Sequence, residues 1–259
     1  MSAVLVTGSS GRIGRAVVGA LVGRGHRVRG FDRVAGSGAS ECLVGDLTDR
    51  SALDRAMIGM ECLVHLAATP DDADFVSELL PNNLLGVYHV LESARLAGVR
   101  RMILASSGQV QWWQRQAGGI PLRTEDPPSP RYWYAATKMF LESIGRGFAE
   151  THGVSVIIAR LGWCPRTVEQ EREIASELWS QDVYLSPGDA GRFFAGAVEA
   201  PDTVRHAVVN AASRPRHQAQ FDMTSARTLL GYEPRDHWPE GLHEPGASFA
   251  TPHIPPQRP

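Results

Sequence analysis

The sequence of 259 residues lacks several features that mark specialised classes of protein. Its three cysteines, Cys42, Cys62 and Cys164, lie far apart without the spacing of metal ligands, so we expect reduced thiols, a cytoplasmic location and no metal site. No apolar run approaches the ~18 residues that cross a bilayer, and the first residues lack the basic segment of a secretory signal, so no membrane partner is expected. The net charge of -2 supplies no phosphate-binding field, which excludes a typical nucleic-acid partner.

Lysine is the scarcest charged residue, because 25 of the 26 basic residues are arginine and the exception is Lys138. An ammonium is a compact donor that fits sites where a planar guanidinium does not. The count alone leaves two interpretations open, a functional lysine or a chance survivor on a solvated helix face. The residues around Lys138 have to decide between them.

Short apolar runs alternate with amphipathic stretches along the chain. The runs predicted as strands are Ala3–Thr7, Arg27–Phe31, Cys42–Val44, Cys62–Leu66, Met102–Ala105 and Val154–Ala159. Helical patterns cover Arg12 to about Val22, Ser51–Ile58, Asn83–Ala97 and Tyr132–Thr151. This alternation predicts an α/β fold with a doubly wound parallel Rossmann sheet of about seven strands.

The alternation weakens after Arg160, where we expect a loop at Leu161–Thr167 and short helices at Glu169–Ser180, Gly191–Glu199 and Asp222–Leu230. We therefore expect residues 1–160 to form a dinucleotide-binding domain that also carries the catalytic residues. Residues 161–246 would form a small substrate-binding lid partly folded back on the sheet. The proline-rich residues 247–259 are predicted to be a flexible tail.

A glycine-rich turn follows the first strand. Gly8, Gly11 and Gly14 form a GxxGxxG pattern that opens a helix, and such a turn brings backbone amides close to a pyrophosphate. Asp32 follows the second strand, where a carboxylate accepts hydrogen bonds from an adenosine ribose and repels a 2′-phosphate. NAD is therefore favoured over NADP, although Arg12 and Arg33 are near enough to bind that phosphate instead. The rest of the predicted cofactor site comprises Ser10, Ile13, Asp46, Leu47, Leu66, Ala67 and Ala68, together with Asn83, Tyr134 and Lys138.

Tyr134 and Lys138 lie four residues apart on a predicted helix, so their side chains share one face. A neighbouring ammonium would lower the pKa of the phenol and make Tyr134 a general base. Ser107 stands at the carboxyl end of a predicted strand, where its hydroxyl can hold the substrate oxygen. A surface Tyr/Lys pair is the alternative, but the agreement of the serine, the tyrosine and the one lysine argues against it.

These motifs resemble the extended short-chain dehydrogenases of the NAD-dependent epimerase/dehydratase family from Val4 to about Asp236. The matching segments are TGSSGRIG, GDLTD, VHLAA, NLLGVYHVL, LASSGQV, YAATK, ARLG and LLGYEP. The resemblance implies that Ser107, Tyr134 and Lys138 are the catalytic triad and that Asn83 supports the active-site backbone. It also implies a homodimer formed through the helices at Asn83–Ala97 and Tyr132–Thr151.

The predicted substrate is a small sugar or sugar acid, because only about 100 residues follow Arg160 and nucleotide-sugar enzymes of the family need a larger C-terminal part. The layout is most similar to the uronate dehydrogenases, which oxidise hexuronic acids to lactones. In that comparison Arg172 falls on the arginine that binds the substrate carboxylate, while an exposed helix salt bridge is the alternative. The predicted substrate residues are Thr69, Ser107, Gly108, Gln109, Tyr134, Trp163 and Arg172.

The sequence therefore predicts an NAD-dependent short-chain dehydrogenase that oxidises a sugar or sugar acid, with a hexuronic acid as the specific case. Gly108-Gln109 follows the serine where dehydratases of the family carry an acidic pair, which disfavours dehydration. Two alternatives remain, a sugar epimerase that retains its NAD and a non-catalytic NAD-binding regulator. The segment Gln111–Gly119 is expected to cover the substrate, and packing is the alternative for its tryptophans.

Overall fold

Seven parallel strands form the centre of the protein. The structure is a computed structural model and describes residues 1–36 and 38–242, so the predicted tail at 247–259 lies outside the described residues. The strands are β1 (Ala3–Thr7), β2 (Arg27–Asp32), β3 (Glu41–Val44), β4 (Cys62–His65), β5 (Arg101–Ser107), β6 (Ser155–Leu161) and β7 (His206–Ala211). Their order across the sheet is β3-β2-β1-β4-β5-β6-β7, which confirms the predicted doubly wound Rossmann sheet.

Helices cover both faces of this sheet. They are α1 (Arg12–Gly23), α2 (Arg50–Met57), α3 (Gly86–Leu96), α4 (Trp112–Gln116), α5 (Trp133–His152), α6 (Val168–Ser176), α7 (Leu178–Asp182), α8 (Pro187–Val198) and α9 (Thr224–Leu230). On one face α1, α8 and α9 enclose an apolar cluster that contains Val17, Phe193 and Leu230. On the other face α2, α3 and α5 enclose a second cluster, so both faces of the sheet are buried, as parallel sheets require.

Local side-chain chemistry fixes where several helices begin and end. The side chains of Asp49, Thr167 and Ser186 each accept a hydrogen bond from the amide three residues on and so cap α2, α6 and α8. Gly153 and Gly231 follow α5 and α9 with φ values of 65° and 61°, a left-handed conformation that glycine adopts without steric cost.

The structure differs from the sequence prediction at three places. The strand β7 was not located in the sequence, and the helix expected at Glu169–Ser180 is divided into α6 and α7. The helix expected from Asn83 is preceded by a π-helix at Phe75–Leu85 that contains Pro81. Proline lacks an amide proton and interrupts α-helical hydrogen bonding, so the sequence pattern concealed the first turns of this segment.

The sheet has its topological switch point between β1 and β4, the central neighbouring pair. The chain leaves these two strands in opposite directions across the sheet, so a crevice opens at their carboxyl ends. A cavity of about 640 Å³ lies there and is lined by the glycine turn, the ends of β4 and β5, the start of α5 and residues of α6 and α7. No helix in the described residues is long and apolar enough to span a membrane.

Candidate active site

The glycine turn forms one end of the cavity. Gly8 has φ of 71°, and a Cβ atom on it would lie 2.7 Å from the Ala67 backbone nitrogen. A Cβ on Gly14 would lie 2.0 Å from the Gly8 carbonyl oxygen, so no larger residue fits this turn. The helix α1 begins at Arg12, and the preceding Gly11 at its N-cap has no side chain to bind the first amides. The turn therefore keeps a glycine-lined cradle at a helix N-terminus, which suits a pyrophosphate.

Asp32 stands at the end of β2 and faces the same part of the cavity. Its Oδ2 accepts a hydrogen bond of 2.9 Å from the Ser10 amide, and its Oδ1 accepts one of 3.1 Å from the Val34 amide. The carboxylate is thus fixed beside the glycine turn, where a ribose hydroxyl would meet it. Arg33 lies next to it and is exposed, whereas Arg12 donates to the Leu242 carbonyl oxygen at 2.6 Å.

Most of the predicted cofactor residues line the cavity. The lining includes Gly8, Gly11, Arg12, Ile13, Gly14, Asp32, Arg33, Asp46, Leu47, Leu66, Ala67, Ala68, Tyr134 and Lys138. Ser10 and Asn83 are not part of the lining, and their contact with the cofactor stays a prediction. Ser10 holds Asp32, and Asn83 lies behind the cavity wall, so both act on the shape of the site through other residues.

Asn83 is 2% exposed and ties the loop after β4 to α5. Its Oδ1 accepts from the Thr69 amide at 2.8 Å, and its Nδ2 donates to the Thr69 carbonyl at 3.0 Å and to the Thr137 hydroxyl at 3.2 Å. Thr69 itself does not line the cavity, and its contact with substrate stays a prediction. The pair instead fixes the loop that carries Asp71 and Asp72 against the helix that carries Tyr134.

Ser107, Tyr134 and Lys138 come together at the end of β5 and the first turns of α5. The Lys138 Nζ donates to the Ala105 carbonyl oxygen at 3.0 Å and lies 5.6 Å from the centroid of the Tyr134 ring. The Ser107 side chain lies near enough to the Tyr134 hydroxyl to lower the pKa of Tyr134. The arrangement presents two hydroxyl groups and an ammonium to the cavity, a set that can hold a hydroxyl oxygen and exchange a proton with it.

The electrostatics of this group differ from the sequence prediction. Burial raises the pKa of Tyr134 to about 12, with a further rise from Asp71, while Arg166 and the hydrogen bond from Ser107 lower it. Burial also lowers the pKa of Lys138 to about 8. The expectation that Lys138 alone brings the tyrosine pKa below its usual value was wrong for this structure, because desolvation of the phenolate outweighs the neighbouring charges.

Three residues that the sequence analysis missed, namely Asp71, Asp72 and Arg166, lie near Tyr134. Asp72 Oδ1 accepts a hydrogen bond of 3.1 Å from the Tyr134 amide and so holds the start of α5. Arg166 forms an ion pair with Asp71, and Gln170 donates to the same carboxylate at 3.1 Å. Asp71 and Arg166 are 95 residues apart in the chain, so no local sequence motif predicts their ion pair.

Behind Ser107, a buried ion pair supports the strand ends. Arg160 binds Glu142 at 2.8 Å, and Glu142 also accepts a hydrogen bond of 2.6 Å from Ser106. Glu142 lies one turn after Lys138 on α5. The pair therefore fixes β5, β6 and α5 relative to one another, directly beneath the hydroxyl groups of the site.

The opposite end of the cavity is lined by aromatic side chains from separate elements, namely Trp112, Trp163, Trp179, Tyr132 and Phe221. Gly108 and Gln109 also line it, as predicted from their position after Ser107. Arg172 does not line it and is exposed on α6, so the structure does not place this arginine where it could bind a substrate carboxylate. It instead favours the alternative of an exposed helix charge, close enough to Glu169 to lower the pKa of that carboxyl.

The fold and site together define a Rossmann-fold enzyme that uses NAD as its cofactor. A model of the NAD-dependent epimerase/dehydratase family matches residues 4–163, and the chain belongs to this family. It is 31% identical to an L-arabinose 1-dehydrogenase (NAD(P)(+)) of Haloferax volcanii over 91% of this chain and 97% of that one. It is 28% identical to an NAD-dependent glucose-6-phosphate dehydrogenase of the same organism, over 93% of this chain and 96% of that one.

Solved structures show the same similarity. A mutant uronate dehydrogenase from Agrobacterium tumefaciens, complexed with NAD, superimposes with a TM-score of 0.74 at 25% identity, covering 91% of this chain and 85% of that one. The predicted family and fold are thereby confirmed, and so is the predicted cofactor.

Proposed function

We propose that the protein is an NAD-dependent dehydrogenase that oxidises the hydroxyl group of a small sugar or sugar acid. The observation that carries the proposal is the convergence of Ser107, Tyr134 and Lys138 on one cavity with the glycine turn and Asp32. Relatives that act on L-arabinose, glucose 6-phosphate and uronate support the class of substrate. Whether the sugar is a hexuronic acid, as the sequence layout suggests, is the finer part of the proposal.

In the proposed reaction Ser107 holds the substrate hydroxyl and Tyr134 removes its proton. The glycine turn and Asp32 would hold NAD, which would supply the hydride acceptor for the carbon that carries this hydroxyl. The Lys138 ammonium, fixed by the Ala105 carbonyl, favours the phenolate over the neutral phenol and is placed to meet a cofactor hydroxyl. Arg166 adds positive charge on the other side of the tyrosine, where it also lowers the pKa of the phenol.

The test is the formation of NADH, followed at 340 nm, with NAD and a panel of L-arabinose, D-glucose, D-glucuronate, D-galacturonate and glucose 6-phosphate. We expect turnover of at least one member by the wild type. Tyr134→Phe should retain NAD binding and lose nearly all of kcat, because the ring stays and only the proton acceptor goes. Tyr88→Phe, an exposed tyrosine on α3 outside the cavity, is the matched control.

A Tyr134→Phe variant with undiminished kcat would contradict the role given to the tyrosine. The sugar epimerase is the second candidate function, and a protein purified with tightly held NAD that produces no net NADH would favour it. A protein that binds NAD but neither oxidises nor epimerises any sugar would support the regulator instead.

We also propose a homodimer formed through the π-helix, α3 and α5. This surface exposes large apolar side chains, with Val76 at 72%, Tyr88 at 55% and Trp133 at 64% exposed. Contiguous exposed apolar side chains of this size are typical of an interface. A cytoplasmic location is the companion proposal, supported by the three free cysteines.

A further inference from the structure

Arg115 lies on α4, in the wall of the cavity opposite the glycine turn. Its guanidinium carbon is 3.6 Å from the centroid of the Trp179 ring and 4.7 Å from that of Trp112. The two rings are 6.4 Å apart and meet edge to face at 87°. The guanidinium is therefore held in the angle between two indoles that belong to different elements, which fixes its position by cation–π contacts.

This guanidinium is half-buried, and no carboxylate of the described residues forms an ion pair with it. Burial lowers the pKa of Arg115 to about 10, and no carboxylate in the described part of the chain counteracts that effect. In the described part of the chain, its Nη2 is buried and has no hydrogen-bond partner, and the same holds for Nε1 of Trp112. A buried donor that lacks an acceptor destabilises the folded state, and a charged donor does so more strongly, so two such donors side by side indicate a site for an external acceptor.

The other arginines that line the cavity are already engaged. Arg166 forms the ion pair with Asp71, and Arg12 donates to the Leu242 carbonyl oxygen. Arg33 is exposed, so its guanidinium donates hydrogen bonds to water. Arg12 also has buried donor atoms, but its Nη1 lies 3.9 Å from the Glu171 carboxylate. Among the cavity arginines within residues 1–36 and 38–242, Arg115 is the partly buried one that forms no ion pair with a carboxylate of these residues.

Resting on the proposed function, we propose that Arg115 binds a negatively charged group of the sugar, a carboxylate or a phosphate, and so selects anionic sugars as substrates. A guanidinium presents paired donors that match the oxygens of either group, and such charge-assisted contacts are about twice as strong as neutral ones. The indoles of Trp112 and Trp179 hold the fork in place and offer apolar faces to the sugar ring. Arg115 thereby takes the role that the sequence had given to Arg172.

Binding can be measured without turnover, because Trp112 and Trp179 flank the guanidinium and their fluorescence reports on its surroundings. The wild type would be titrated with D-glucuronate, glucose 6-phosphate and D-glucose in the absence of NAD, so that no sugar is oxidised during the measurement. The variants are Arg115→Gln, which removes the charge, and Arg115→Lys, which keeps the charge but not the fork. Arg172→Gln removes an exposed charge on nearby α6 and is the matched control.

We expect the wild type to bind one or both anionic sugars more tightly than glucose. Loss of a hydrogen-bonded charge is worth ~1.5–3 kcal/mol, so Arg115→Gln should raise the Kd of the anionic sugar about 10- to 100-fold and change that of glucose by less than about threefold. The Kd of the anionic sugar for Arg115→Lys should lie between those of the wild type and Arg115→Gln, and the Kd for Arg172→Gln should equal that of the wild type. In turnover the change should appear in KM rather than kcat, and the anion that loses more affinity identifies carboxylate or phosphate as the group bound.

Equal affinity of the wild type for all three sugars would overturn the inference. An equal loss of affinity for glucose and for the anionic sugars in Arg115→Gln would do the same, and Arg115 would then only stabilise the packing of α4. Thermal melting separates a folding defect from a binding defect, and Arg115→Lys replaces Arg115→Gln in the comparison with glucose if the latter melts below the assay temperature. Anionic binding with no oxidation of any sugar would refute the proposed function alone. Oxidation of neutral sugars with unchanged kinetics in Arg115→Gln would refute this inference alone.

Discussion

The charge of Asp71 offers the sharpest test of how the site controls Tyr134. Asp71 raises the pKa of Tyr134, whereas Arg166, its ion-pair partner, lowers it. Asp71→Asn removes the negative charge and leaves the positive charge of Arg166 unopposed, so both changes lower the pKa of the tyrosine. The proposed base is active as phenolate, and a lower pKa means more phenolate at any pH below it.

The magnitude follows from Coulomb's law. Two unit charges ~7 Å apart at an effective dielectric constant of ~20 interact by about 2 kcal/mol. The Asp71 side chain is 46% exposed, so screening by water reduces this to about 1 kcal/mol, or about one pKa unit. Tyr134 has a pKa of about 12, so at pH 8 the phenolate fraction of the wild type is small and Asp71→Asn should raise it by up to about tenfold.

The assay is the pH dependence of kcat/KM for the sugar at saturating NAD, between about pH 6.5 and pH 9.5. We expect the rising limb of the Asp71→Asn profile to lie about one unit lower in pH than that of the wild type. A change near pH 8 that reports the loss of charge from Lys138 should be common to both proteins, because burial alone sets that pKa. Asp72→Asn, which keeps its acceptor oxygen for the Tyr134 amide, is the control. An unchanged limb in Asp71→Asn, or the same shift in Asp72→Asn, would refute the reasoning.

Three further predictions concern the cofactor, stability and assembly. Gly14→Ala drives a methyl group into the glycine turn and should weaken NAD binding more than 100-fold in calorimetry, whereas Gly19→Ala, with open space around its Cβ, should bind normally. Asp189→Ala removes a fully buried carboxylate that accepts hydrogen bonds from four residues. It should lower the free energy of unfolding by ~3–5 kcal/mol and Tm by about 6 to 20 °C in calorimetric scans. Asp202→Ala, at an exposed carboxylate, should leave Tm within about 2 °C. Tyr88→Glu should convert the dimer to a monomer in light scattering after gel filtration, and a wild type that is already monomeric would contradict the proposed dimer.

The sheet was predictable because its signals are local. Six of the seven strands are short apolar runs next to amphipathic helices, and β1 matches its predicted bounds. The seventh, β7, is an edge strand in a region without regular alternation, and it pairs with β6 about 50 residues away in sequence. Its place depends on tertiary contacts that a sequence window does not contain.

The residues of the candidate site likewise form two groups, those that local sequence patterns predict and those that contacts between distant segments define. The glycine turn, Asp32 and the Tyr134/Lys138 pair are each set by spacing within one element or crossover, so the sequence revealed them. Arg115 and the Asp71–Arg166 pair acquire meaning only through partners from distant segments, such as Trp179 of α7 beside α4. The position of Arg172 along the chain suggested a substrate ligand, but that position does not determine which face of α6 the residue occupies.

Chemical labelling of the one lysine in the sequence gives a direct measure of access to the site. Lys138 is 5% exposed, so an amine-acylating reagent reaches its ammonium only inside the cavity. Labelling of this amine requires the reagent to enter where the substrate does. Its rate, read as the mass increment of the proteolytic peptide that carries Lys138, would measure how often the site admits solvent and how far each ligand closes it.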